Sequence, residues 1–142
     1  MIDFESIRYT HLAEPEWLHA NLQTDGLRIV DMSGAVMVQT EPDGFQSAQY
    51  LGMHESYLVD HIPGAVYLDW TSDLVDLNDP VTAQVAPPSK IAEILGRAGI
   101  CNDTEVVAYD SHPSSQFATR LWWLLRYYGH HKCKILNGGF TR

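Results

Sequence analysis

The sequence predicts an α/β fold, a parallel sheet covered by helices on both faces. Three observations carry that prediction. Short apolar, β-branched runs recur at Leu27–Asp31, Val66–Leu68, Glu105–Tyr109 and Lys134–Leu136. Between them stand stretches whose apolar residues repeat with a helical period, at Glu14–Leu22, from Ser89 to Ala98, and onward from Gln116. Strands alternating with helices make βαβ units, whose crossovers join parallel neighbours. A ligand crevice in such a sheet lies beyond the carboxyl ends of its strands.

The chain is organised around Glu105 to Gly129, read as strand, loop and helix. Glu105-Val-Val-Ala-Tyr109 suits a buried strand. Asp110-Ser-His-Pro-Ser-Ser115 breaks the pattern with turn formers. Beyond it, Phe117, Leu121, Leu124, Leu125 and Tyr128 line one helical face. Ser114 or Ser115 is placed to cap the start, and Gly129 to end the helix in a left-handed conformation. A loop between a strand's carboxyl end and a helix's amino end collects unpaired N–H groups, and so suits an anion.

In chain order, Tyr9–Leu12 reads as a short first strand. Glu14-Pro15 opens a helix to about Leu22, with proline tolerated in the first turn and Trp17, Leu18 and Leu22 turned inward. Asp25-Gly26 is a turn, and Leu27–Asp31 a strand ending on a carboxylate. Ser33 to Ser56 is rich in glycine, proline and polar residues around one apolar patch, Val36–Val38. It reads as a long surface excursion with a short helix near Gln46–Leu51, placed to cover a site at the strand ends. Ile62-Pro-Gly-Ala65 is a tight turn before strand Val66–Leu68. Asp69 to Pro88 is loop with one helical turn. Ser89 caps a helix with Ile91, Ile94, Leu95 and Ala98 on one face, ended by Gly99. Lys134–Leu136 is the last strand, closed by Asn137-Gly138-Gly139.

The length, 142 residues, suits one domain with a real core. Eighteen acidic residues against nine basic give a net charge of −9, which argues against nucleic acid or an anionic membrane as partner. The acidic start, Met1–Glu5, has no long apolar run, so the default expectation is a cytoplasmic protein with no membrane span. Two cysteines, Cys101 and Cys133, are too few for a disulfide framework and read as reduced, partly buried thiols. His130, His131 and Cys133 have no matching second pair, so neither metal nor other cofactor is expected.

Five pieces together resemble the rhodanese-like sulfurtransferases: His61-Ile-Pro-Gly-Ala-Val66, Val106-Val-Ala-Tyr-Asp110, Arg120-Leu-Trp-Trp-Leu-Leu-Arg126, Gly129-His130 and Leu136-Asn-Gly-Gly139. They cover most of the chain from Leu27 onward in the family's order. The resemblance is strongest to the amino-terminal half of the tandem thiosulfate or 3-mercaptopyruvate sulfurtransferases. It implies a doubly wound five-stranded parallel sheet. It also implies sulfane sulfur transfer from a small donor to a thiophilic acceptor such as cyanide or a thiol. In active members a cysteine follows the central strand, where loop N–H groups and a helix dipole stabilise its thiolate or persulfide.

Here Asp110 stands at that position, and a carboxylate cannot form a persulfide. The first domain of the tandem proteins typically carries an aspartate there, the second domain supplying the cysteine. Cys101 and Cys133 each precede a strand and so lie at its wrong end. The chain alone is therefore expected to be inactive, with a closing helix and a second rhodanese domain following Arg142, or with another chain covering the gap and supplying that domain. Asp110 is expected to cap its own loop. A histidine of the His61 motif is implied to assist the partner domain's cysteine in proton transfer, against the plainer reading that it orders the turn. Asp31, Asp110, Ser111 and Arg120 complete the expected contribution to an interdomain site, with Arg120 pairing Asp110 or Asp31. Trp122 and Trp123 read as packing. Ser33, where many relatives carry arginine, and Val81-Thr-Ala-Gln84 leave the crevice short of positive charge. The alternative is a stand-alone, catalytically inactive rhodanese-like binding or regulatory module. A phosphatase would also need the loop cysteine.

Overall fold

The structure, a computed structural model, describes residues 1–141. Five strands form one parallel sheet: β1 (Leu12–Ala13), β2 (Leu27–Asp31), β5 (Val66–Tyr67), β6 (Glu105–Tyr109) and β7 (Cys133–Leu136). Their spatial order is β1-β7-β6-β2-β5, with β6 between β7 and β2. Leu27 pairs Glu105 and Asp31 pairs Tyr109, so β2 and β6 finish level. That register brings the residues after both strands to one edge.

Alternation along β6 divides the core. Val106 and Ala108 face one side, packed under α4 (Pro88–Arg97) and α5 (Gln116–Tyr127) through Ile91, Phe117, Leu121 and Leu125. Val107 and Tyr109 face the other, with Leu18 of α2 (Pro15–Asn21), Ile29 and Leu136. Helices therefore cover both faces. The second face is covered less completely. Pro15, Leu18, Leu22, Ile62, Leu136 and Phe140 line an open, mostly apolar groove of about 350 Å3.

Several boundaries differ from the sequence reading. Tyr9–His11 belong to helix α1 (Phe4–His11), and only Leu12 of the expected first strand pairs with the sheet. Asp3 caps α1 by accepting from the Ser6 N–H at 3.1 Å, and this cap outweighs the β preference of Tyr9 and Thr10. Between Ser33 and Ser56 lies a regular antiparallel hairpin, β3 (Gly34–Thr40) and β4 (Gln46–Gly52), followed by helix α3 (His54–Val59). The expected helix at Gln46–Leu51 is thus a strand. Pro42-Asp43-Gly44 turns the hairpin: Asp43 accepts from the Phe45 N–H at 3.1 Å, and Gly44 takes a φ of +86°. Ser89 lies inside α4, whose first turn begins at Pro88, and makes no cap. Asp69 to Pro88 does contain one helical turn, closed by Asp73 N–H to Asp69 O at 2.8 Å.

Candidate active site

The loop after β6 is built around a buried carboxylate. Asp110 is fully buried. Its Oδ2 accepts from the backbone N–H groups of Phe117 (2.9 Å) and Ala118 (2.7 Å), and its Oδ1 from that of His112 (2.8 Å). Phe117 and Ala118 are in the first turn of α5, where N–H groups have no partner within the helix. Asp110 therefore performs the capping that serine was expected to perform. Ser115 sits at the helix start with φ +51° and caps nothing, while the Ser114 hydroxyl meets His112 Nδ1 at 2.9 Å. Burial pushes the Asp110 carboxyl above its usual range, against the lowering effect of its three N–H donors.

Behind the loop, the Phe140 N–H donates to the Asp110 carbonyl at 3.0 Å. Gly139, with φ +65°, passes so close that a Cβ there would lie 3.0 Å from the same oxygen. The strand-ending pair Asp31 and Ser33 stands beside Asp110's loop. Asp31 Oδ1 accepts from the Ser33 N–H at 2.8 Å, and Ser111 Oγ lies 3.4 Å from Ser33 Oγ. Tyr67 spans the rim, donating to Ser33 O at 3.2 Å and accepting from the Met53 N–H at 2.7 Å. Desolvation raises its phenol to about 12, so it stays a neutral donor at ordinary pH.

Asp31, Asp110 and Ser111 thus lie together at one end of the sheet. Arg120 does not join their carboxylates. It donates to the Ala83 carbonyl at 2.5 Å and lies 5.9 Å from the Trp70 ring centroid. The reason is local: the Asp110 oxygens are already taken by three amides, and Ala83 offers an acceptor beside an aromatic face. His61 is exposed, stacked on Tyr57 at 4.1 Å between centroids, with Nδ1 2.7 Å from Tyr57 O. The turn after it is fixed separately, by the Ile62 N–H donating to Tyr109 Oη at 3.1 Å.

Neither thiol reaches the loop. Cys101 is exposed and precedes β6. Cys133 pairs with Val106 at the opposite end of the sheet, buried, its pKa pushed up to about 12 by desolvation. The expectation of two partly buried thiols is corrected to one exposed and one buried. Trp122 lies under Arg126 at 4.9 Å, and Trp123 stacks on Tyr127 at 5.2 Å. Among the described residues, no group of three or more His, Cys, Asp or Glu side chains is placed to hold a metal ion.

The rhodanese-like domain model matches residues 14–142. The chain belongs to the rhodanese-like family. It is 31% identical over 139 residues to thiosulfate sulfurtransferase of Bos taurus, covering 94% of this chain and 43% of the relative. To thiosulfate sulfurtransferase of Corynebacterium glutamicum it is 31% identical over 134 residues, covering 92% and 37%. The crystal structure of the 3-mercaptopyruvate sulfotransferase SseA from Escherichia coli superposes with a TM-score of 0.75 at 28% identity. That match covers 92% of this chain and 46% of SseA. This chain spans less than half the length of these relatives, and its five-stranded parallel sheet is that of the family.

Two contributors to the site escaped the sequence reading. Trp70 was hidden in a stretch read as loop, and Tyr67 was read only as part of a strand. The helix α3 that precedes the His61 turn also carried no clear cap to announce it.

Proposed function

We propose that this chain is the non-catalytic, amino-terminal rhodanese unit of a thiosulfate or 3-mercaptopyruvate sulfurtransferase. It forms one wall of an active site whose thiol is carried by a second rhodanese unit. The supporting observation is the Asp110 carboxylate, which occupies the anion cradle and takes three amide donors at 2.7–2.9 Å. An anionic donor would meet a fixed negative charge where it needs N–H groups, and oxygen there cannot accept sulfane sulfur.

In the second unit a cysteine thiolate would attack the outer sulfur of the donor. The S–S bond of thiosulfate breaks, sulfite leaves and a persulfide remains. A thiol or cyanide then takes that sulfur and restores the thiolate. This chain would supply Asp31, Asp110 and Ser111 to the facing wall. Arg120 would contribute by bracing Trp70 and the Ala83 loop. His61, exposed on Tyr57, would be positioned for proton transfer beside the partner's thiol. The open groove by Leu136 and Phe140 fits a closing helix continuing the chain, which would remove apolar surface worth roughly 25 cal/mol per Å2 buried.

The full-length protein is expected to transfer sulfur to cyanide, and to retain that activity with Cys101→Ser and Cys133→Ala substituted. Loss of activity through Cys101→Ser, or turnover by this chain alone, overturns the reading. So does a full-length protein with no further cysteine after a central strand.

A further inference from the structure

We propose that the apolar face of hairpin β3–β4, with the neighbouring loop at Leu77 and Val81, docks the second rhodanese unit of the same polypeptide. This rests on the two-unit reading above and assigns the contact to a definite surface.

The pairing Val36↔Tyr50 and Val38↔Ala48 places four apolar side chains on one hairpin face. Val38 is 61% exposed and Phe45, at the turn, 76%. Leu77 and Val81, across a cleft of about 260 Å3 that Tyr50 and Trp70 also line, are 70% and 60% exposed. A two-stranded hairpin with open edges is marginal alone and invites association. A run of exposed apolar side chains of this kind marks a contact surface.

The position of the hairpin selects the occupant. Its base is pinned at the site edge of the sheet. Trp70 Nε1 donates to Leu51 O at 2.9 Å, the Tyr50 and Trp70 rings lie 5.1 Å apart, and Gly34 packs against the Trp70 indole. The surface therefore continues directly from the wall that the second unit is proposed to face. The matched relatives contain more than half their length outside the region this chain covers, 43% and 37% being matched in the two sulfurtransferases. Asp76 and Asp79 rim the cleft, so the facing ridge is expected to be apolar with flanking lysine or arginine.

A photoreactive benzoylphenylalanine in place of Phe45 tests this in the full-length protein, mixed from isotopically light and heavy preparations. Cross-linking within one polypeptide, to a peptide beyond residue 142, is the expected result. Cross-linking between light and heavy copies, to residues 1–142, or to nothing overturns the inference. Independently, Leu77→Glu with Val81→Glu is expected to speed amide exchange over residues 36–49 at least tenfold, and unchanged exchange overturns it. Full sulfurtransferase activity with no cross-link removes this inference alone. Absence of any activity in the unmodified protein removes the reading beneath it.

Discussion

Two structures rise from the same edge of the sheet and are finished in opposite ways. The Asp110 loop buries a polar group and satisfies it: each carboxylate oxygen has its amide donors. Hairpin β3–β4 does the reverse, exposing Val38, Met37 and Phe45 beyond an anchored base. A satisfied loop needs no ligand to hold its shape, whereas an apolar arm in water is held only where it is tied down. The contrast separates a part of the chain that is complete by itself from a part that is proposed to meet a neighbour.

Trp70→Ala should blur that contrast most. It removes a 5%-exposed indole that joins the core to the hairpin base and carries Arg120 on its face. A loss of about 3–5 kcal/mol is expected in urea unfolding, with faster amide exchange in β3 and β4. A loss under about 1 kcal/mol would show the hairpin to be held by other contacts.

Asp110→Ala comes next. It leaves three amides, two of them buried, without an acceptor and uncaps α5, at an expected cost of about 2–4 kcal/mol. An unchanged denaturation midpoint would mean that the carboxylate is not what fixes the loop.

The smallest effect is one of pH. Burial holds the Asp110 carboxyl above its usual range. Its contribution to stability is therefore fullest below about pH 4, the unfolded value. That contribution declines as pH climbs through the raised folded value. The gap in denaturation midpoint between the parent and Asp110→Asn should be narrower at pH 7 than at pH 3.5. A gap that widens with pH would make the amide hydrogen bonds, not burial, the stronger influence.

The cradle was more legible in the sequence than the arm. Glu105–Tyr109 is apolar and β-branched, the helical period starts cleanly at Gln116, and the carboxylate falls between them. What could not be read was which atom caps α5, because Asp110 reaches seven and eight residues along the chain to do it. The hairpin carried half a signal that glycine and proline content obscured: Val36-Met-Val38 is followed by the turn former Pro42-Asp43-Gly44, but the returning strand, Gln46-Ser-Ala-Gln-Tyr-Leu-Gly52, has only Tyr50 as a strand former. Arg120 was misplaced for a tertiary reason. Its partners Ala83 and Trp70 lie in a segment with no periodicity, held in place by Lys90 Nζ donating to Ser72 O and Val75 O at 2.6 and 2.8 Å.

The close passage of Gly139 and Phe140 behind Asp110 has a mechanical consequence. The stretch leaving the last strand is fastened to the peptide that carries the carboxylate, with no room for a side chain as cushion. The anion cradle and the Gly139–Phe140 turn are therefore joined through a single peptide, and a bulkier residue at Gly139 would wedge them apart.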